Sequence, residues 1–425
     1  MAANIAIIGA GPAGLMAAQT LAQAGYPATV FDAMPSAARK FLQAGRGGLN
    51  LTHDDAFDDF VSHYYEAAPK LKPALGQFTA DDMRAWAQHF GFETFVGSSG
   101  KVYPMDKKAA PLLRAWLHQL KQQGTVFKMR HRWLDWKTTS NQSLICSFAT
   151  ADGQQDYQYD ALILALGGGS WPHLGSTGSW VTPLTQQGIN VSPLKAANMG
   201  FEVTWSAIFK DKFAGAPLKN IQLSFTSIDG QAYKRLGELM ITKHGVEGSL
   251  IYTHSKYLRE LLEQRQDSAH DSEKASEQPL TVDLDLFPHR TLNQLTKQLS
   301  APRGKQSLNA FWKRFGLDGV KASLLREVLS KEQLNNPELI ANTLKAFPLA
   351  LQASRPLVEA ISTAGGVQFE AVNEHLMVKA YPGLFCAGEM MDWEAPTGGY
   401  LLTGVMAQGQ QAALGLINYI ESRAD

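Results

Sequence analysis

Short apolar runs that stop at glycine or a carboxylate punctuate this chain. Ile5 to Ile8 ends at Gly9, Ala28 to Phe31 at Asp32, Ala161 to Leu166 at Gly167, and Leu384 to Ala387 at Gly388. Unbroken apolar runs of this length read as strands. After the first of them, Leu15 to Ala24 has helical spacing with Gly25 as its stop, so the start predicts strand, tight turn and helix. Elsewhere the pattern changes. Met199 to Thr204 and Ile221 to Ile228 read as strands of antiparallel hairpins with Asp229 and Gly230 at a turn, and Thr281 to Leu286 alternates as one more strand. ELMITKHGVEGSLIYTHS continues this strand segment, and Glu263 to Gln278, nearly free of apolar residues, reads as an exposed loop. Leu292 to Ala346 is helix-rich, with Leu295, Leu299, Phe311, Trp312, Leu324 and Leu325 among its apolar positions. Lys40 to Pro73 is polar and glycine-rich with no clear third strand.

The first turn carries Gly9, Gly11 and Gly14 in GxGxxG spacing. That spacing suits a turn, a close backbone approach to a pyrophosphate, and close helix–strand packing, while the helix N-terminus faces the phosphates. Pro12 stands where a missing N–H costs nothing. Asp32 follows Gly14 by eighteen residues, close to the roughly 20-residue offset of a carboxylate that accepts ribose hydroxyls. A simple nicotinamide dehydrogenase would go on in regular βαβ repeats. Here the apolar-run-plus-glycine pattern returns twice, far along the chain, which resembles the glutathione-reductase type of FAD domain. The expected fold is therefore α/β: a Rossmann-like FAD-binding domain of residues 1–194 and 355–425, interrupted by a β-barrel-like subdomain (195–286 and 345–354) and a small helical subdomain (287–344).

Composition narrows the setting. The chain has 425 residues, 45% of them hydrophobic, and 39 basic against 39 acidic side chains, values of a globular protein of two or three domains. The opening strand leaves no room for a cleavable signal and no apolar run reaches spanning length, so a cytoplasmic protein without a membrane segment is expected. Cys146 and Cys386 stand far apart with no CxxC, which argues against a redox disulfide and for small buried hydrophobes. The eleven histidines show no HxxxH or HExxH pairing, and no metal is expected. Charge is uneven: Lys101 to Lys137 holds nine basic and two acidic residues, and Phe287 to Arg326 eight basic and one acidic. Such stretches are either solvated helix faces or a polyanion-facing surface.

Further motifs point to a family. KFLQAGRGGLNLTH at 40–53, GKVYPMDKKA at 100–109, GGSWPHLGSTG at 168–178, THSK at 253–256 and GEMMDWEAPTGGY at 388–400 together resemble the BaiN/RdsA-type flavoproteins, bacterial FAD-dependent oxidoreductases, over nearly the whole chain. Two places depart from that pattern. AGRGGLNLTH stands where many members read SGGGRCNxTN, so Gly48 and Leu49 replace an Arg–Cys pair and Arg46 comes earlier; Leu401 replaces the amide of GGYN. Both departures are expected to line the isoalloxazine ring and mark a divergent subgroup.

By position, Gly9, Gly11, Pro12, Ala13 and Gly14 are expected at the pyrophosphate, Asp32 and Ala33 at the adenosine ribose, and Trp133, on a strand from Phe127, at the adenine. Arg39, Lys40, Gly45, Arg46, Gly47, Gly48 and Asn50 should fold over the phosphates and flavin, with Ala165, Leu166, Gly167, Gly168 and Trp171 from the second return. Gly388, Glu389 and Asp392 should face the ribityl chain, and Gly398, Gly399, Tyr400, Leu401 and Leu402 the ring edge at a helix N-terminus.

Hydride transfer between flavin N5 and an organic substrate calls for a general acid or base near the ring. Tyr400 is the first candidate and His173 the second, ahead of Tyr103, Lys101 and His53. Reduction of an activated C=C bond in a small molecule is the leading expectation. Uracil reduction in ribosomal RNA, bound through 101–137 and 287–326, is the alternative; so is amine oxidation, and a flavin-binding sensor is a further one. The resemblance carries the first three activities. No second dinucleotide fingerprint occurs, so NAD(P)H would visit only transiently.

Overall fold

The computed structural model describes residues 3–269 and 279–423. They form two compact units, one of Met1–Ala197 with Leu357–Asp425, the other Asn198–Pro356.

The first unit is built on a parallel five-stranded sheet. Its strands are Leu384–Cys386, Ala161–Leu164, Ile5–Ile8, Thr29–Asp32 and Val126–Met129, in that spatial order. Ile5 pairs with Ala161, Ile7 with Val30, and Ile163 with Phe385. Ile5–Ile8 and Ala161–Leu164 are buried throughout, and the sheet also packs at Phe31 against the antiparallel strand Leu144–Thr150, where Phe31 stacks on Phe148 at 4.2 Å. The Pro12–Gln23 helix starts at Gly11 and ends in a Schellman motif, Tyr26 N–H to Leu21 O and Gly25 N–H to Ala22 O. The long Tyr400–Glu421 helix lies against it, close enough that a Cβ on Gly409 would sit 2.2 Å from the Ala13 carbonyl oxygen.

Two elements of this unit differ from the reading of the sequence. Phe127 to Trp133 is not one strand: Val126–Met129 ends at Arg130, whose φ is +60°, and Arg132–Thr138 begins a separate antiparallel sheet with Leu144–Thr150 and Gly153–Tyr159. The passage from Lys40 to Pro73 contains the helices Arg39–Ala44, Phe57–Ser62 and Ala68–Gln77. The last keeps Pro73 inside it, since burial of Leu71, Ala74 and Leu75 outweighs poor helix propensity.

The second unit holds a six-stranded antiparallel sheet, Phe201–Glu202, Gly245–Glu247, Ala232–Ile241, Pro217–Thr226, Leu280–Asp285 and Phe347–Leu351 in spatial order. It closes on itself: Glu202 N–H donates to Ala353 O and Glu202 O accepts from Gln352 N–H, both at 2.8 Å, while Arg355 N–H reaches Gly200 O. Closure removes the unpaired edges an open sheet would expose. The Asp229–Gly230 turn joins Pro217–Thr226 to Ala232–Ile241, and Leu280–Asp285 alternates buried and exposed positions. Leu292–Leu299, Leu308–Lys313, Gly319–Val328 and Pro337–Lys345 are helices.

One helix here was unforeseen. THSK does not end a strand segment but lies in the helix Ser249–Ala269, which packs on Ala232–Ile241 where Gly237 leaves room for Leu250. That helix also takes up 263–269, read from the sequence as loop; polar residues at its far end hide a helix whose apolar positions, Leu250, Ile251, Leu258 and Leu262, come earlier. Residues 270–278 of the expected loop lie outside the described residues.

Candidate cofactor site

The glycine segments emerge together at the C-terminal edge of the parallel sheet. Ala165 N–H bonds Ile8 O, and Ala387 N–H bonds Leu164 O, so each segment leaves its strand beside the next. The chain order reverses there, between Ile5–Ile8 and Ala161–Leu164, which is where open α/β sheets bind ligands. Gly9, at φ +108°, approaches so closely that a Cβ would meet Ala165 O at 2.1 Å. A Cβ on Gly14 would lie 1.9 Å from Gly9 O, whereas one on Gly11 would meet nothing within 4 Å. Gly9 and Gly14 are thus closed by protein and Gly11 faces open space, at the N-terminus of a helix with Pro12 and Ala13 in its first turn.

Asp32 closes this corner. Its Oδ2 accepts from Ala10 N–H and Oδ1 from Met34 N–H, each at 2.8 Å, with Ala33 half-buried between. Burial raises the Asp32 carboxyl above the usual aspartate range, opposed by those two N–H groups and by Arg39.

The segment from Arg39 supplies the knot of the site. Lys40 Nζ lies 2.7 Å from Glu389 Oε2 and 3.0 Å from Ser170 Oγ. Glu389 also accepts from Thr363 N–H at 3.1 Å and Gly168 N–H at 3.4 Å. One carboxylate of the third segment therefore joins the Arg39–Ala44 helix, the second segment and the strand Ser362–Val367. The reading of Glu389 as facing a ribityl chain did not include these protein partners. Asp392 Oδ2 likewise accepts from Ser192 Oγ at 2.6 Å. Gly167 O takes the Trp180 Nε1 proton and Gly168 O the Ser176 hydroxyl.

Two polar atoms in this region are buried without a hydrogen-bond partner: Arg39 Nε and Asn50 Oδ1. Such groups are costly unless something pairs with them. With the open Gly11 and the open, exposed Gly47 between them in sequence, they fit a polar, anionic ligand of the dinucleotide class. Gly45 packs on Ala109 and Arg46 is exposed. Gly48 is half-buried beside Lys107, but Leu49 is wholly buried in the core. The Leu49 half of that departure therefore faces the core and not open space, one hydrophobe standing in the place of another.

Tyr400 begins its helix at 4% exposure, and its hydroxyl donates to Asp55 Oδ2 at 2.6 Å. Leu401 and Leu402 are half-buried. His173 is exposed, its ring 5.6 Å from that of half-buried Trp171. Trp133 is buried and stacks on Trp136 at 6.1 Å in the three-stranded sheet, with its Nε1 unpaired. Burial raises the Tyr103 phenol. Asp55, His63, Ser170 and Thr363 went unnoticed in the sequence; the THDD run was the one local signal for Asp55.

Burial pushes both thiols up to about 12, Cys386 by desolvation alone and Cys146 with help from Asp135. A thiol so raised is almost wholly protonated at neutral pH. Ellman's reagent at pH 8 should therefore titrate neither cysteine until denaturant is added. One equivalent released from the folded protein would contradict this.

Residues 3–415 match the family model described as HI0933-like protein Rossmann domain. The ribosomal RNA dihydrouridine synthase of Haemophilus influenzae is 24% identical over 424 residues, covering 96% of this chain and 97% of that relative. Its Escherichia coli namesake is 23% identical over 400 residues, 93% of each. Among solved structures, the open conformation of a flavocytochrome c3 fumarate reductase superposes with a TM-score of 0.53 at 14% identity, over 98% of this chain and 78% of that one. The 3-ketosteroid delta1-dehydrogenase of Sterolibacterium denitrificans gives 0.52 at 12%, over 98% and 99%. At these identities the structural likeness is one of fold.

Proposed function

The chain belongs to the HI0933-like family, and from that premise we propose that it is an FAD-dependent oxidoreductase that reduces an activated C=C bond, the uracil ring of ribosomal RNA being the substrate. Bound FAD supplies the hydride for such a reduction. The chain contributes a nucleotide cradle at Gly11, Arg39 and Asn50, and a helix N-terminus at Gly399 toward the ring, where negative charge is favoured.

The near-full-length match to two relatives named for that reaction supports the RNA reading, and one structural observation carries it to specific residues. Of the nine basic residues from Lys101 to Lys137, seven are exposed: Lys107, Lys108, Arg114, Lys121, Arg130, Arg132 and Lys137. Among the described residues none of the nine forms an ion pair. Arg114, His118 and Lys121 share the exposed face of helix Ala109–Gln122, opposite buried Leu112, Leu113, Trp116 and Leu120, and that helix contains no acid. In the stretch 287–326 six of the eight basic residues are also exposed, but Arg290 and Lys321 are half-buried and donate to the carbonyls of Phe315 and Leu286, so two of its charges tie this subdomain together.

The test is a purified, FAD-loaded protein incubated with unmodified ribosomal RNA and NADH or NADPH, followed by mass spectrometry of the nucleosides. Appearance of dihydrouridine is expected; its absence with both donors, while either one bleaches the flavin, would return the substrate to a small enone. Bleaching by an amine alone would indicate an oxidase. In filter binding, Arg114→Ala with Lys121→Ala should weaken RNA retention and flatten the salt dependence by roughly 1 to 2 in slope. An unchanged slope would remove this face from the RNA contact.

A further inference from the structure

Four side chains able to carry protons meet where the Tyr400–Glu421 helix begins. The Tyr400 ring stacks with two imidazoles, His63 at 4.1 Å and 12° and His53 at 5.2 Å and 19°. Its hydroxyl donates to Asp55 Oδ2, while Asp55 Oδ1 is 2.9 Å from His53 Nδ1 in an approach too poorly aligned for a hydrogen bond. His53 Nε2 faces Ser99 O at 2.9 Å, and His63 Nδ1 faces Asp59 O at 2.9 Å. A carbonyl only accepts, so these contacts fix a proton on each of those nitrogens and leave Asp55 as the acceptor for the phenol. Tyr400 is thereby held in one orientation, with its proton directed at a carboxylate.

What that orientation controls is the turn before it. Gly398 stands at φ +146° with its Cβ position 2.6 Å from Tyr400 Cε2, and Gly399 at φ +99° with its Cβ position 2.5 Å from Thr52 Cα. The turn therefore passes between the Tyr400 ring and the Thr52 backbone. Both walls are tied to the same short stretch of chain, since Thr52 is followed by His53 and Asp55. Thr403 Oγ1 bonds Thr52 Oγ1 at 2.9 Å, and the buried Tyr64 hydroxyl donates to Tyr400 O at 2.7 Å.

We propose that Asp55 is a positioning residue: by holding the Tyr400 hydroxyl it fixes the Gly398–Gly399 turn and the helix N-terminus against the flavin ring, and Tyr400 acts through this placement, with its phenol as a structural ligand of Asp55. The part of this that concerns the ring rests on the FAD reading above; the clamp itself does not. Loss of the clamp should displace the helix terminus by a fraction of an ångström to about an ångström, a misplacement that costs up to about 100-fold in rate.

Two measurements on the full chain test it. In the FAD-free protein, hydrogen exchange of a peptide spanning Gly398 to Leu402 should quicken in Asp55→Ala and Tyr400→Phe, and stay near wild type in Asp55→Asn, whose amide oxygen still accepts the phenol proton. In the FAD-loaded protein, Asp55→Ala and Tyr400→Phe should alter the visible flavin spectrum and lower kcat roughly 10- to 100-fold with KM nearly unchanged, with Asp55→Asn again close to wild type. Wild-type exchange in Asp55→Ala overturns the proposal. So does a Tyr400→Phe protein that loses turnover while its flavin spectrum and exchange stay wild type, because the phenol would then be the acid itself. Faster exchange in a protein whose wild type takes up no FAD supports the clamp and sinks the cofactor reading beneath it.

Discussion

A Gly11→Val protein should fold and melt nearly as wild type in its FAD-free form, yet bind FAD at least about 100-fold more weakly, a loss of roughly 2.7 kcal/mol. Gly11 is the N-cap of the first helix at φ −80° and ψ 178°, a backbone region valine also occupies, and a Cβ there touches no protein atom. The stability cost is limited to a poorer cap, about 1 kcal/mol or less. The side chain would instead fill the space that the helix N-terminus holds open for phosphate. Gly14→Val is the contrasting variant. Its Cβ would fall 1.9 Å from the Gly9 carbonyl oxygen, so strand and helix must separate and the fold itself should lose more than about 2 kcal/mol. Calorimetry of the FAD-free proteins, paired with titration of flavin fluorescence, separates the two effects. Unchanged FAD affinity in Gly11→Val would mean that the cofactor's phosphates lie elsewhere.

Lys40→Met should destabilise the first unit by about 2–3 kcal/mol, and Lys40→Met with Glu389→Gln should recover part of that loss. The Glu389 side chain is 9% exposed and that of Lys40 26%. Removing one partner of a fully buried pair costs about 3–5 kcal/mol because the other charge stays buried; the part-exposed lysine reduces the figure. Glu389 would keep the Gly168 and Thr363 N–H donors, which soften the loss without neutralising the charge. Urea denaturation of the two single variants and the double variant closes a cycle. Strict additivity would show that the 2.7 Å contact carries no coupling. FAD affinity should fall along with stability, since the contact joins three segments of the site.

The parallel sheet and its first turn were legible because their determinants are local. Apolar runs, GxGxxG, Pro12 at the helix start and Gly25 at its end lie within a few residues of what they specify. The hairpin across Asp229 and Gly230 and the strand Leu280–Asp285 were legible for the same reason. Trp133 was set on the wrong strand because the break at Arg130 is a backbone turn with no glycine or proline to announce it. THSK was read as the end of a strand segment because the apolar positions of its helix begin directly behind a strand, with little punctuation between. Leu49 was assigned to the ring from a family pattern, although its own apolar character fits the core it occupies.

By itself the sequence determined that a dinucleotide fold is present, that it is interrupted by an insertion, and that Gly9 and Gly14 stand where the backbone must come close. Those are questions of chain geometry and of apolar periodicity, and both are written in neighbouring residues. Tertiary structure alone decided the partners of the polar groups. Lys40 meets Glu389 across 349 positions and Asp55 meets Tyr400 across 345. A carboxylate's position in the chain does not reveal whether its lone pairs go to a ribose, a lysine or a phenol, because that depends on which distant segments the fold brings within 3 Å. The same holds for charge: the basic stretches 101–137 and 287–326 look alike in sequence and both leave most of their charges exposed, and only the fold shows that Arg290 and Lys321 of the second are drawn in to the backbone carbonyls of Phe315 and Leu286.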